Sequence, residues 1–400
     1  MSTRIEHDRL GDEQVPQHAW YGIQTLRALR HFHASHAPLS QFPDLIHSYC
    51  LIKETAAGLN YHDGKLSLSK YKALLNACNR IKAGELHDQF VVDIVHGDAI
   101  SAINTNCNEV ITNLALTEMG LKRGQYYALN PNKDCNRAQY PSENYQLATR
   151  ISLINGQRAL ITALESLIVL AQHKEGLLSR WLQQGPQQLD PGVLAISYRF
   201  AEHRKDLKGC TEQADLLIQA LGRCNPEQCE LTRQCLPILA NLSSTPLSYS
   251  QEGSSLISLL ADLATLHTQI AQLLLHLCED IAQLHRSSSL VAGSSDPWTN
   301  HNALQTALRV LGQEATARLC LSGPAPFAVI APMLACDAQL TTRMLVAALY
   351  NVGQRCIRPI KLHLTLAPTP LHKTTASAPS ISYDSASHVK KQADSSALSG

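Results

Sequence analysis

Residues 254–285 read SSLISLLADLATLHTQIAQLLLHLCEDIAQLH, and this stretch decides the fold class. Leu256, Leu259, Leu263, Leu266, Ile270, Leu273, Leu277, Ile281 and Leu284 recur in steps of three and four. A stripe of about four heptads is what a long helix needs when it packs along near-parallel neighbours. Its plainest meaning is hydrophobic core, not a cofactor box. Composition points the same way. The chain is 44% hydrophobic and only 5% aromatic. Leu and Ala dominate, and they lose little rotamer freedom in a helix. The expected fold class is all-α: a long-helix bundle with a smaller mixed N-terminal domain.

The remaining periodicity extends this reading in both directions. Residues 1 to 40, punctuated by Pro16 and Pro38, read as loops and short helices. Leu45–Gly58 and Leu68–Gly84 read as helices, and Val92–Leu116 becomes regular from about Asn106. Ser142 looks like the cap of a long helix from Asn144 to Gln184, although Tyr145 stands where a capping box needs Glu or Gln. Asn302–Cys320 and Pro332–Cys356 are amphipathic. Beyond Ile357 the composition turns to Ser, Pro, Ala and Thr, and from Thr374 onward disorder is expected. The domains expected are 1–143, 144–357 and a tail at 358–400. No internal repeat is visible.

A formal net charge of +1 gives no electrostatic reason to bind nucleic acid or an acidic membrane. No uninterrupted apolar run reaches the roughly 18–20 residues of a membrane span. The first ten residues are charged and show no secretory signal, so the 12 cysteines are expected to be reduced and the location cytoplasmic. His31, His33 and His36 have the look of a small metal site, but a solvated loop is the simpler account. Cys224, Cys229 and Cys235 lack Cys-x2-Cys spacing and read as idle thiols. There is no Gly-rich phosphate loop and no G-x-S-x-G elbow.

The N-terminal third carries a resemblance. Arg4-Ile5-Glu6-His7-Asp8 leads to Val15-Pro16 and then to Trp20-Tyr21-Gly22-Ile23-Gln24-Thr25. Leu86–Asp93 and Asn104-Thr105-Asn106-Cys107-Asn108-Glu109-Val110 follow in order. These blocks resemble the aspartase/fumarase superfamily, most of all its aspartate ammonia-lyases. The resemblance implies a tetramer with each active site shared among three subunits. It implies anti elimination of ammonia or water from a C4 dicarboxylate, giving fumarate, with neither cofactor nor metal. A homotetramer, or a hetero-oligomer with a related lyase, is the partner it suggests.

Such chemistry makes physical demands. The proton beside a carboxylate is very weakly acidic, so donors must stabilise extra negative charge in the transition state. A base must also stand on the correct face. The family meets these demands in four segments. Where it reads Gly-Thr-Ser-Thr-Asn, this chain has Ile100-Ser101-Ala102-Ile103-Asn104. Asn104 is kept, Ser101 is a second candidate, and Ile103 replaces a hydroxyl that would contact substrate. Where the family reads Asn-x-x-Gln-Ser-Thr-Asn-Asp, this chain has Asn136-Arg137-Ala138-Gln139-Tyr140-Pro141-Ser142-Glu143. Of the three substrate positions there, only Ser142 keeps a small side-chain donor. In the third segment Gln188 matches a His/Gln position, while Gln187 replaces threonine and Pro186 replaces arginine.

The fourth is the family's mobile loop, Gly-Ser-Ser-x-Met-Pro-Gly-Lys-x-Asn, which aligns without gaps to residues 293–302. Ser294 falls on the catalytic base and Asn302 on a retained asparagine. Asn300 takes the place of the substrate-binding lysine, and Asp296 adds a negative charge nearby. Downstream, Ala328 and Ala331 replace the usual Asn and Glu. A hydrogen bond to a charged group contributes on the order of 1.5–3 kcal/mol. Losing three or four would cost roughly 5–10 kcal/mol, or about four to seven decades of rate. The expected protein is therefore aspartate ammonia-lyase-like with its ordinary activity impaired, or a catalytically silent paralogue acting as an assembly or regulatory subunit.

Overall fold

In the computed structural model, residues 2–31, 37–94, 96–184, 191–226, 229–286, 291–292, 296–324 and 326–362 are described. Two antiparallel strands open the chain, β1 (Thr3–Asp8) and β2 (Gly11–Pro16), paired from Thr3↔Pro16 to Asp8↔Gly11. Sequence reading expected only loops and short helices here. The strands carry mostly charged and polar side chains, and only Glu6 and Val15 within them are buried, so no period-2 apolar pattern marks them.

Helices follow: α1 (Ile23–His31), α2 (Pro43–His62), α3 (Leu68–Lys82) and α4 (Ala99–Glu118). Pro43 sits at the first turn of α2, where a missing N–H costs nothing. Ser67 caps α3 by accepting from the Lys70 N–H at 3.4 Å, and Arg80 and Lys82 lie in its last turn, against the negative end of the dipole. α4 begins seven residues before the expected Asn106. Its first turns hold Ala99, Ile100, Ala102 and Ile103, all buried. Burial on nearly every face leaves no stripe to read.

The bundle proper comprises α5 (Pro141–Gln184), α6 (Pro191–Gly222), α7 (Glu230–Ser243), α8 (Leu256–Arg286), α9 (Pro297–Ser322) and α10 (Phe327–Asn351). α5 starts at Pro141, so Ser142 lies inside its first turn and is not its cap. Proline's fixed φ suits the first helical position. α5 packs on α2, α6 and α10, and α8 on α6, α9 and α10. Within α5, Pro141–Arg180 is long and apolar enough to cross a membrane by length and composition. Along α8 the expected stripe is buried, except that Leu274 takes the fully buried place next to a half-buried Leu273.

Two apolar clusters fill the interior. One gathers side chains from α2, α3, α4 and α7 with the starts of α5, α8 and α10. The other gathers the later parts of α5 and α8 with α6, α9 and α10. The described residues from Ser2 to Leu362 belong to one compact unit. The boundary expected at 143/144 falls in the first turn of α5, and the tail expected to be disordered lies outside the described residues. All 12 cysteines are free thiols, buried except for the half-buried Cys320.

Candidate active site

The N-terminal blocks build a carboxylate nest. Glu109 of α4 accepts N–H bonds from Gly22 (2.8 Å), Gln24 (2.9 Å) and Thr25 (3.0 Å) at the start of α1. Glu6 accepts from the Ile23 N–H at 2.8 Å and pairs with Arg4 at 2.7 Å. Arg4 in turn donates to the carbonyls of Pro16, Ala19 and Tyr21. Orphan donors at a helix start attract negative charge, and here two buried carboxylates meet them. Only glycine fits at residue 22, because a Cβ there would lie 2.3 Å from Tyr126 Oη and 2.8 Å from both carboxylates. Burial raises the pKa of Glu109 to about 7, against the lowering effect of its hydrogen bonds.

A second polar cluster joins the first two motif segments. Lys53 of α2 is 1% exposed, and its Nζ donates to Asn104 Oδ1 (3.0 Å), Asn136 Oδ1 (2.6 Å) and Gln139 Oε1 (3.1 Å). Asn144 Nδ2 donates to the same three oxygens at 3.1, 3.5 and 3.1 Å. Asn104 Nδ2 donates to Asn136 Oδ1 at 3.2 Å. Asn104, a sequence-predicted substrate residue, is therefore 2% exposed with both ends of its amide engaged within the chain. Burial lowers the Lys53 pKa to about 8. Sequence reading passed over Lys53; a lysine directly after the apolar run Tyr49–Ile52 in a helical stretch was the available signal.

Ser142 stands elsewhere, lining a cavity of about 280 Å³ between the first turns of α5, residues 224–226, α7 and residues 253–255. Glu143, 7% exposed, accepts from Thr232 Oγ1 at 2.9 Å. Arg150 is 5% exposed and donates to the carbonyls of Leu221 (3.0 Å), Arg223 (3.2 Å) and Ser254 (2.6 Å). It thereby covers the negative end of α6. Neither charged residue was singled out from sequence.

Of the loop aligned to 293–302, residues 296–302 are not loop. Asp296 caps α9, accepting from the Trp298 N–H at 3.1 Å and from Thr299 Oγ1 at 2.7 Å. The Thr299 hydrogen bond holds its carboxyl below the usual range. An Asp-Pro pair followed by an amphipathic run was the missed signal. Asn300 points inward, 7% exposed, and donates to the Cys278 carbonyl at 3.2 Å. Asn302 is exposed and borders a different cavity, of about 550 Å³, with Trp298, Arg309 and Arg355. Arg355 approaches Asp296 at 3.8 Å, which offsets the negative charge expected to stand alone there.

Ser101 is half-buried on α4, and Ile103 is wholly buried in the first cluster. Ser294 and Gln188, with Gln187, Pro186, His33 and His36, lie outside the described residues. Among the described residues no group of three metal-ligating side chains occurs. Thus Asn104, Ser142 and Asn302 occupy three distinct places within one chain, the first in a closed polar cluster and the others beside different cavities.

Long helices in an almost strandless bundle, opened by a small hairpin and a buried carboxylate nest, define the class as a long-helix bundle protein. A family model described as lyase matches residues 11–176. The aspartate ammonia-lyase of Pseudomonas canavaninivorans is 30% identical over 98% of this chain and 90% of its own length. That of Escherichia coli K12 is 25% identical over 90% and 82%. A solved structure of a fumarate lyase:delta crystallin from Brucella melitensis superposes with a TM-score of 0.75 at 27% identity, covering 90% of each chain. A class II fumarase from Schistosoma mansoni gives a TM-score of 0.79 at 17% identity, a likeness of fold. The chain belongs to the aspartase/fumarase superfamily and is aspartate ammonia-lyase-like.

Proposed function

We propose that this chain is an elimination lyase whose substrate is less anionic than aspartate. One observation carries the reading. Asn300, standing where the family binds substrate with lysine, supplies no cation, and its amide is turned to the Cys278 carbonyl. The burial of Ile103 at a hydroxyl position adds support. Ser294 is the proposed base, and Ser142, Asn302, Ser101 and Gln188 the residues left to hold substrate, with Asn104 behind them in the Lys53 cluster. The test is ammonia release and ultraviolet absorbance of the alkene over a panel of amino acids, amides and dicarboxylates. L-aspartate should turn over at least ~10³-fold more slowly than with an ordinary aspartate ammonia-lyase. A rate within about tenfold of the ordinary enzyme overturns the reading.

A second reading, a silent paralogue assembling with itself or with an active relative, is favoured by a different observation. Leu308 and Leu319, 61% and 73% exposed, lie three turns apart on one face of α9. Tyr350 on α10 is 57% exposed. This reading takes these exposed side chains as part of its interaction face. Sedimentation with co-purification decides: an inert tetramer, or capture of a related lyase, upholds this reading, and an inert monomer that captures none removes it.

A further inference from the structure

The chain that follows α10 is tied to residues on both sides of Ser294. Val352–Ile357 continues α10 as a π-helical turn, an uncommon geometry. Val352, Cys356, Ile357 and Ile360 anchor this segment in the second apolar cluster, where all four are buried. It also sits close on α5: a Cβ added at Gly353 would lie 3.0 Å from Leu170 Cδ1 and 3.4 Å from Leu167 Cδ1. Lys174 of α5 completes the anchorage. It is 7% exposed, and its Nζ donates to the carbonyls of Arg358 at 2.9 Å and Ile360 at 2.7 Å. A buried ammonium needs acceptors, and the chain just past the π-helical turn supplies them.

From this anchored segment, contacts reach to either side of Gly293, Ser294 and Ser295. On one side, Val291–Ala292 pairs antiparallel with Lys361–Leu362. On the other, the Asp296 N–H donates to the Arg355 carbonyl at 3.4 Å, and Cys356 Sγ donates to the Asp296 carbonyl at 3.8 Å. The ion pair of Arg355 with Asp296 is largely exposed and adds little. Consecutive Cα atoms stand about 3.8 Å apart, so the Ser294 Cα lies within about 7.6 Å of both Ala292 and Asp296. Holding those two residues confines Ser294 to a small volume. A catalytic base needs that confinement, because a displacement of about 1 Å can cost about 10²-fold in rate.

We infer that residues 352–362 act as a strap that fixes both ends of the Ser294 segment, and that Lys174, acting through the strap, is a positioning residue for the proposed elimination. The second half of this inference rests on the lyase reading; the first half does not. Hydrogen exchange of full-length Lys174→Met, read by mass spectrometry, tests the strap. The amides of residues 291, 292 and 296 should exchange at least about tenfold faster than in wild type, while those of residues 263–281 in α8 stay within about twofold. Lys174→Arg, which keeps donors at this place, should restore most of the protection. Unchanged exchange at residues 291–296 overturns the inference. So does equal quickening in α8, which marks general destabilisation. If Lys174→Met does not fold, Lys361→Pro combined with Leu362→Pro takes its place and is held to the same two outcomes. Proline cannot donate to the ladder, and Lys361 is exposed.

Steady-state rates separate the strap from the lyase reading. With the panel compound that wild type turns over fastest, Lys174→Met should lower kcat at least about tenfold and leave KM within about twofold, because Ser294 serves the chemical step and not binding. Faster exchange with undiminished kcat removes Lys174 from the reaction. Absence of turnover by wild type over the whole panel removes the lyase reading, and the exchange data then uphold or overturn the strap by themselves.

Discussion

The start of α1 and the start of α9 are both helix N-termini built on residues that resemble a family motif. At α1, Glu109 and Glu6 supply acceptors from other elements, and every group engaged belongs to this chain. At α9, the cap is local: Asp296 accepts from residues two and three positions on. The first motif keeps the family's residues, and the second has exchanged them. The Lys53 cluster behaves like the first, since Asn104, Asn136 and Gln139 satisfy one another around a buried ammonium. Buried polar groups whose partners lie within the chain are fixed by desolvation whatever the substrate. Groups that face a ligand are fixed only by that ligand. The two kinds of motif can therefore diverge independently in one fold.

The largest effect that can break this comparison is at Lys53. Lys53→Met strips a shared donor from three buried amide oxygens and should lower stability by about 3 kcal/mol or more, read as a shift in the urea midpoint. The same residue gives a pH signature. Its folded pKa, lowered by burial to about 8, lies below the ordinary lysine value of 10.5. Between those values the unfolded chain binds the additional proton, so stability rises with pH, by up to about 3 kcal/mol. The rise should be absent in Lys53→Met. If wild type and variant share one pH profile, the buried-ammonium account fails.

Gly22→Ala comes next. A methyl group would collide with Tyr126 and with both carboxylates, and overpacking of this kind costs about 1–3 kcal/mol. An unchanged melting temperature would show that the nest yields freely and does not constrain the motif. The smallest effect belongs to Asp296→Ala, which removes a cap and should cost about 1 kcal/mol. A loss as large as that at Lys53 would erase the distinction between local and chain-spanning motifs.

Much of the architecture was legible because α8 and α5 carry one-sided stripes, and the N-terminal blocks are long enough to place the family. α6 was overlooked, although Phe200, Leu207, Cys210, Ala214, Ile218 and Leu221 recur at helical spacing and are buried. The hairpin was hidden because its strands bury almost nothing. α4 gave a false start because burial all round leaves no amphipathic contrast. The site was less legible than the fold. Aligned motifs located Ser142 and Asn300, but only three-dimensional packing shows that Asn300 turns inward and that Glu143 and Arg150 share a cavity with Ser142. Those two are separated by two turns of one helix, and their common environment is made by residues 224–226, α7 and residues 253–255.

α5 has a mechanical consequence. Its 44 residues make a rod about 66 Å long, and it contributes side chains to both apolar clusters, as α8 also does. Neither cluster can melt while the other keeps these two rods fully packed. Unfolding should therefore be a single cooperative event across residues 2–362, with the slowest-exchanging amides distributed along the middle of α5 and α8.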